Sequence, residues 1–421
     1  MSASAACWVL VEAPSVLGAL GLRAGAVRRI RDRRLRQVLR AARRTSLHAR
    51  WVEASAEADP WSSLAGFPVS TKECMRNAGL GALLDGRVDP AWLSSTSSGS
   101  TGEPFRVHYD PRAWAILKHL VKLRSRWACG VGPGDRVAIL DAVAPGSMRG
   151  GVLECLGRVR VLSVLGSPEE MARGLREFAP DVAYGPPSAM LDAARALTRG
   201  GGPPRVSRVF TSGEILLPAV RAEIEGLLGG RVFDVYGTSE SKEIAFECLR
   251  GSLHVNWDVV HVEVTGEDGR PLPDGTEGDL VVTSLLNRAM PLLRYRTGDR
   301  GSLLPGPCAC GLHFPRMCVV TGRAVDLLQL PDGTRVSPYA FTCAVERVPG
   351  IRRFQMIQTA PGTMRLRIQR DPSIPPAAIE DGLRGAVSGV TRRQVAAEVE
   401  FVDSFPREGR GKFRVVRGLS G

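Results

Sequence analysis

Ser97-Ser98-Gly99-Ser100-Thr101-Gly102-Glu103-Pro104 interleaves small hydroxyl residues with glycine, a pattern suited to few tasks. Glycine lets the backbone come close to an anion and aim consecutive N–H groups at it, while Ser and Thr hydroxyls add donors that rotate to fit. The reading is a loop that wraps phosphate; the alternative is a flexible Ser/Gly linker. Company further along the chain separates the two. Tyr236-Gly237-Thr238-Ser239-Glu240, Tyr295-Arg296-Thr297-Gly298-Asp299, Gly322-Arg323 with Asp326, and Pro406-Arg407 through Gly411-Lys412 follow in that order.

Taken together, these segments resemble the ordered core motifs of the adenylate-forming superfamily, which activates carboxylic acids with ATP. Within it the chain is most similar to the phenylacetate-CoA ligase-like branch. The resemblance extends to Pro68-Val69-Ser70-Thr71-Lys72-Glu73 and to Cys308-Ala309-Cys310-Gly311, so it spans nearly the whole sequence.

Composition agrees with a cytoplasmic enzyme. At 421 residues the chain exceeds the size at which one core stops growing, so two unequal domains are expected. A hydrophobic content of 44% is a globular value, and no apolar run is long enough to span a bilayer. Ala5 to Leu22 is apolar but contains Glu12 and Pro14, and its positive charges follow the apolar part, the reverse of a secretory signal. The net charge of +13 is almost all arginine, since lysine occurs only at 72, 118, 122, 242 and 412. From Arg23 to Arg50, apolar residues at helical spacing among arginines read as an amphipathic helix with a solvated charged face. If that face docks anything, an acidic carrier protein or a nucleotide-bearing cosubstrate suits it. No nucleic-acid-binding module is present to turn the charge into base readout.

Hydrophobic patterning gives the fold class as α/β. Val137 to Leu140, Arg158 to Leu165 and Val206 to Phe210 read as buried strands, with helical stretches at Ala172 to Phe178 and Ala189 to Leu197 between them. Such alternation argues for a sheet with crossover connections. From Glu263 the pattern changes to short alternating strands around the turns Glu267-Asp268-Gly269 and Pro273-Asp274-Gly275, an antiparallel or barrel-like subregion. Pro331-Asp332-Gly333 marks a further turn. The resemblance implies a large N-terminal α/β domain, 1–322, that binds ATP and the acid. It also implies a small mobile C-terminal α+β lid, 323–421, that rotates between two half-reactions. The family's acidic or lysine hinge position falls here on Val325, with Asp326 next.

Nine cysteines, an odd number in a long chain without an export signal, argue against a disulfide framework. Cys248 with His254 and Cys308 with Cys310 form two ligand pairs that satisfy tetrahedral zinc; the alternative is buried thiols packing as small hydrophobes. The resemblance favours a structural zinc, with His313 as a spare ligand.

The site roles also come from the resemblance. Ser97, Ser98, Gly99, Ser100, Thr101 and Gly102 cover the β- and γ-phosphates. Glu240 holds Mg²⁺, Thr238 touches the α-phosphate, and Tyr236, followed by Gly237, stacks on adenine. Gly213 and Glu214 line the adenine edge, Asp299 accepts the ribose hydroxyls, and Arg323 assists there. Lys412 bridges acid and α-phosphate, a task for which a compact ammonium is the better point charge. Tyr184, Gly185, Pro186 and Ser212 border the acid. Aromatic and proline surfaces suit a flat or apolar acid, yet the segment from Asp141 to Leu156 lacks the aromatic content usual in aryl-CoA ligases of this branch. The function implied is conversion of a small carboxylic acid to its adenylate, then transfer to a thiol, with CoA as the default acceptor. Carrier-protein loading, amide ligation and an inactive scaffold remain alternatives, and a homodimer is left open.

Overall fold

The computed structural model of the chain describes residues 3–52, 59–84, 86, 88–96, 105–141, 157–164, 166–199, 205–321, 328–333, 335–336, 344–345, 348–391, 394–405 and 415–419. By contacts the chain gathers into two compact units, Met1–Asp135 with Phe233–Val319, and Arg136–Val232 with Val320–Gly421. Among the described residues no helix is long and apolar enough to cross a membrane.

In the first unit the strands run in the order Val260–Thr265, Gly278–Ser284, Tyr295–Leu304, Arg316–Thr321, Leu253–Val255, Lys242–Glu247 and Arg231–Thr238. Val260–Thr265 pairs antiparallel with Gly278–Ser284, placing Val262 opposite Val282 and Val264 opposite Leu280. Gly278–Ser284 is buried at every position, which explains its run of apolar and small residues in place of a two-faced alternation. The expected turns are present: Gly269 and Gly275 take φ of 78° and 87°, the left-handed region that suits glycine.

The arginine-rich N-terminal segment corrects the expectation of a solvated face. Ala24–Ala42 is a helix whose inward face carries Val27, Leu35, Val38, Leu39 and Ala42, but Arg31 and Arg34 are buried beside them. Arg34 Nη1 donates to Asp258 Oδ2 at 3.0 Å and to the Asp258 carbonyl at 2.7 Å. Arg31 Nη1 donates to the Trp257 and Val260 carbonyls, and its Nη2 lies 3.0 Å from His261 Nδ1. The carboxylate of Asp258 receives a second guanidinium, Arg124 Nη1 to Oδ1 at 2.8 Å, from the helix Val121–Ala128. Burial pulls Arg31 down to about 9 and lowers Arg34 against the upward pull of Asp258.

The second unit carries the expected parallel sheet, in the order Arg208–Ser212, Val182–Gly185, Val137–Asp141, Val159–Ser163. The helices Pro168–Phe178 and Pro187–Arg199 lie between these strands in sequence and bury Met171, Leu175, Phe178, Met190 and Leu197 in one cluster with Ala138, Leu140, Ala183 and Val209. Ser167 and Glu170 form a reciprocal capping box that fixes where the first of these helices starts. The strand expected from Val206 begins at Arg208, because the Val206 amide bonds to the Leu228 carbonyl instead.

Later in this unit a mixed sheet runs Ala396–Phe401, Thr363–Arg370, Ile351–Ala360, Val416–Arg417. Along Thr363–Arg370, Met364, Leu366 and Ile368 are buried in alternation, and they pack with Ile379, Leu383 and Val387 of the helix Pro376–Val390. On the other face Arg365 and Arg367 pair with Glu398 and Glu400, their partners in the parallel register.

Candidate active site

The second motif forms a hairpin in the first unit, from Arg231–Thr238 into Lys242–Glu247. Glycine is required at 237, since a Cβ there would lie 2.3 Å from the Lys242 carbonyl oxygen. Thr238 Oγ1 accepts from the Ser241 amide at 3.0 Å, which closes the turn and leaves the hydroxyl hydrogen available to donate. Lys242 takes a positive φ of 65°, its Nζ donates to the Ser239 carbonyl at 2.9 Å, and it stands 4.8 Å from the Tyr109 ring centre. Tyr109 donates its hydroxyl to the Glu240 carbonyl at 2.5 Å. Burial, then Glu240, pushes the Tyr109 phenol well above its ordinary value, so it stays a donor at neutral pH.

These contacts fix Glu240, which is 5% exposed. Its Oε1 meets Lys72 Nζ at 2.8 Å and the Tyr295 hydroxyl at 3.4 Å. Lys72 opens the helix Lys72–Ala78, capped by Thr71 Oγ1. The preceding Ser70 is stitched to the next motif: its amide donates to the Arg294 carbonyl at 2.9 Å, and its carbonyl accepts from the Arg296 amide at 2.8 Å. Segments distant in sequence therefore meet at one carboxylate.

Beside them, Tyr236 donates its hydroxyl to Asp299 Oδ2 at 2.8 Å, and the Asp299 amide donates to Thr297 Oγ1 at 3.1 Å. Burial and the Asp299 charge hold the Tyr236 phenol well above its ordinary value. Tyr236 is thus tied to Asp299, Glu240 to Lys72 and Tyr295, and Thr238 closes the hairpin turn that lies between Tyr236 and Glu240 in sequence. Lys72, Tyr109, Tyr295 and Lys242 were given no role by sequence reasoning; the scarcity of lysine in an arginine-rich chain was a signal for Lys72 and Lys242.

The acid-side and adenine-edge candidates belong to the second unit. Tyr184 and Gly185 end the strand Val182–Gly185, and a Cβ on Gly185 would lie 2.7 Å from Leu140 Cβ. The Pro186 carbonyl accepts from Met190 at the start of the next helix. Ser212 ends the strand Arg208–Ser212; Gly213 follows at φ 89°, and Glu214 accepts from the Ser188 amide at 3.0 Å and hydroxyl at 2.9 Å. Ser97 through Gly102, Arg323, Val325, Asp326 and Lys412 lie outside the described residues.

A second cluster in the first unit gathers Cys248, His254, Cys308 and Cys310, with all ligand atoms within 4.8 Å of one another. Cys248 Sγ to Cys308 Sγ is 3.9 Å, and Cys310 Sγ to His254 Nε2 is 3.3 Å. A tetrahedral zinc with ordinary Zn–S and Zn–N bonds has edges of about 3.8 and 3.6 Å. Gly251 and Gly311, at φ 75° and 83°, turn the backbone beside each pair. His254 Nδ1 lies 2.8 Å from the Phe314 carbonyl, which can only accept, so Nδ1 carries the proton and Nε2 presents its lone pair to the cluster. Burial works to raise the Cys308 thiol, yet hydrogen bonds led by Ser252 outweigh it and bring Cys308 down to about 6; burial pushes Cys310 up to about 12. His313 is not part of the cluster.

Comparison with known proteins supports the same kinship. Residues 328–418 match the CapK C-terminal domain. The chain is 34% identical over 294 residues to the phenylacetate-coenzyme A ligase of Escherichia coli strain K12, covering 66% of this chain and 65% of that one. It is 32% identical over 282 residues to the enzyme of the same name from Thermus thermophilus, covering 64% and 62%. The matched stretch thus spans just under two thirds of these relatives' length. Among solved structures, 2-hydroxyisobutyryl-CoA ligase in a postadenylation state shares the fold at a TM-score of 0.78, with 20% identity over 96% of this chain and 91% of that one. An amide bond synthetase from Marinactinospora thermotolerans shares it at 0.55, with 18% identity, covering 85% and 76%. By its ordered motifs and these likenesses, the chain is similar in sequence to phenylacetate-CoA ligases, and it shares the fold of adenylate-forming CoA ligases.

Proposed function

We propose that the protein uses ATP to join a carboxylic acid to the thiol of CoA. A carboxylate oxygen attacks the α-phosphorus and pyrophosphate leaves; the thiol sulfur then attacks the acyl carbon and AMP leaves. The observation that carries this reading is the contact set around Glu240 and Asp299: a buried carboxylate already facing a cation, beside a second carboxylate oriented by Tyr236. Attack of one anion on another requires neutralised charge and fixed orientation, which such a preorganised set supplies.

Asp299 accepts the ribose hydroxyls, Tyr236 offers its ring to adenine, and Thr238 donates toward the α-phosphate. Gly213 and Glu214 line the adenine edge, while Tyr184, Gly185, Pro186 and Ser212 border the acid. The loop Ser97–Gly102, Arg323 and Lys412 complete the site, Lys412 arriving on a C-terminal domain, 323–421, that moves as a lid. The mixed sheet within that stretch and the apolar cluster beneath it support a folded body there. Glu240, a single hard carboxylate beside a polyphosphate, fits Mg²⁺, which would neutralise phosphate charge when bound.

Incubation with ATP, Mg²⁺ and a panel of acids is expected to exchange labelled pyrophosphate into ATP in an acid-dependent manner. Adding CoA, a carrier protein or amines and weighing the products identifies the acceptor. Silence across a broad panel overturns the reading in favour of a scaffold.

The Cys248, His254, Cys308 and Cys310 set fits a structural zinc, by its donor chemistry and by edges close to those of a ZnS₃N tetrahedron. Protein purified without added metal is expected to carry about one equivalent of zinc, and Cys310→Ala to lose it together with thermal stability. Metal-free protein of undiminished stability would return the four residues to a packing role.

A further inference from the structure

Lys72 stands where helix physics disfavours it. It occupies the first position of the helix Lys72–Ala78, where the macrodipole is positive and an anion is preferred. Its ammonium turns to Glu240 Oε1 at 2.8 Å, a carboxylate far more enclosed than itself, at 5% against 21% side-chain exposure. The placement is set by backbone contacts, since Ser70, two residues earlier, bonds on both sides to the strand that delivers Tyr295 to the same oxygen. A third element fixes the main chain of the same residue, through the Tyr109 hydroxyl donating to the Glu240 backbone carbonyl. A flexible surface pair has none of this scaffolding, and this chain, which uses arginine almost everywhere, has lysine here. An ammonium is a compact point charge with no fork to lock on a carboxylate, so it leaves one more readily than a guanidinium does.

We propose that Lys72 is the resident counter-cation of Glu240, a positioning residue that keeps the buried carboxylate aimed and charge-balanced until a divalent cation arrives with the nucleotide. Ammonium and metal then compete for one oxygen, and Lys72 sets how much metal the site needs. This rests on the reading of Glu240 as the cation ligand.

The test uses Mn²⁺ as an EPR-visible probe with the full-length protein and no nucleotide. Lys72→Met removes the competitor while keeping the stem, and is expected to bind Mn²⁺ at least several-fold more tightly than wild type. Lys72→Arg keeps the charge and is expected to bind no more tightly than wild type. Equal Mn²⁺ affinity in Lys72→Met and wild type, undetectable in both included, overturns the proposal, as does weaker binding in Lys72→Met. If Lys72→Met fails to fold, Lys72→Gln carries the same comparison. Glu240→Gln separates the two readings: if it abolishes the tight binding seen in Lys72→Met, both stand. If Glu240→Gln leaves Mn²⁺ binding and pyrophosphate exchange intact, the ligand reading fails. If only the Lys72 variants are indifferent, the counter-cation alone is lost.

Discussion

Asp258→Ala is expected to lower the stability of the first unit by about 3–5 kcal/mol, or to prevent its folding outright. Asp258 is 1% exposed, and Arg34 and Arg124 share its two oxygens at 3.0 and 2.8 Å while being almost fully enclosed themselves. Removing the carboxylate leaves two guanidinium groups in a low-dielectric interior, with remaining acceptors that are neutral: the Asp258 and Val16 carbonyls and Asn256 Oδ1. The Nε atoms of both arginines have no hydrogen-bond partner among the described residues, so little slack remains to absorb the loss. Urea unfolding followed by tryptophan fluorescence reads the effect locally, because Trp61 and Trp257 lie 4.8 and 4.7 Å from the Arg31 guanidinium in the same cluster. Arg199→Ala, which breaks an exposed pair with Glu169, should barely move the midpoint. Equal midpoints for Asp258→Ala and wild type would mean that the buried guanidinium groups reach water on losing their partner.

That cluster also shows what the sequence could and could not convey. The alternation of strands and helices across residues 137–212 was legible because each element carries its own period, and the turns at Gly269 and Gly275 because glycine marks the backbone conformation directly. The hairpin motif could be read for the same reason: Gly237 is dictated by a neighbour five residues away. Arg31 and Arg34 were read as solvated because a guanidinium at helical spacing looks polar, and the carboxylate that lets Arg34 turn inward lies 224 residues downstream. Lys72 escaped similarly, its partner being Glu240, in a motif whose local order gives no hint of which cation it faces. Pairwise electrostatics between distant segments leave no period and no spacing in the chain. The two cysteine pairs are the exception, since each closes locally and thiol and imidazole chemistry supplies the missing link.

Glu240→Gln is expected to cut acid-dependent pyrophosphate exchange by about 10²–10³-fold, the scale on which removal of a preorganised electrostatic group at a developing charge is felt. The substitution keeps the shape and the Tyr109 contact, which is made to the backbone carbonyl, so the hairpin should survive. What disappears is one negative charge facing Lys72 Nζ and the Tyr295 hydroxyl. A glutamine oxygen is a poor ligand for a hard cation beside a polyphosphate, so the requirement for Mg²⁺ should rise along with the fall in rate. The loss should fall on kcat more than on the KM for ATP, because the adenine and ribose contacts proposed for Tyr236 and Asp299, which bond to each other, are made by side chains other than Glu240. A control at the exposed Arg160–Glu177 pair, Glu177→Gln, should leave exchange unchanged. Exchange at the wild-type rate in Glu240→Gln, with the fold intact by circular dichroism, would move the cation to another ligand and make the Lys72–Glu240 pair a structural tie.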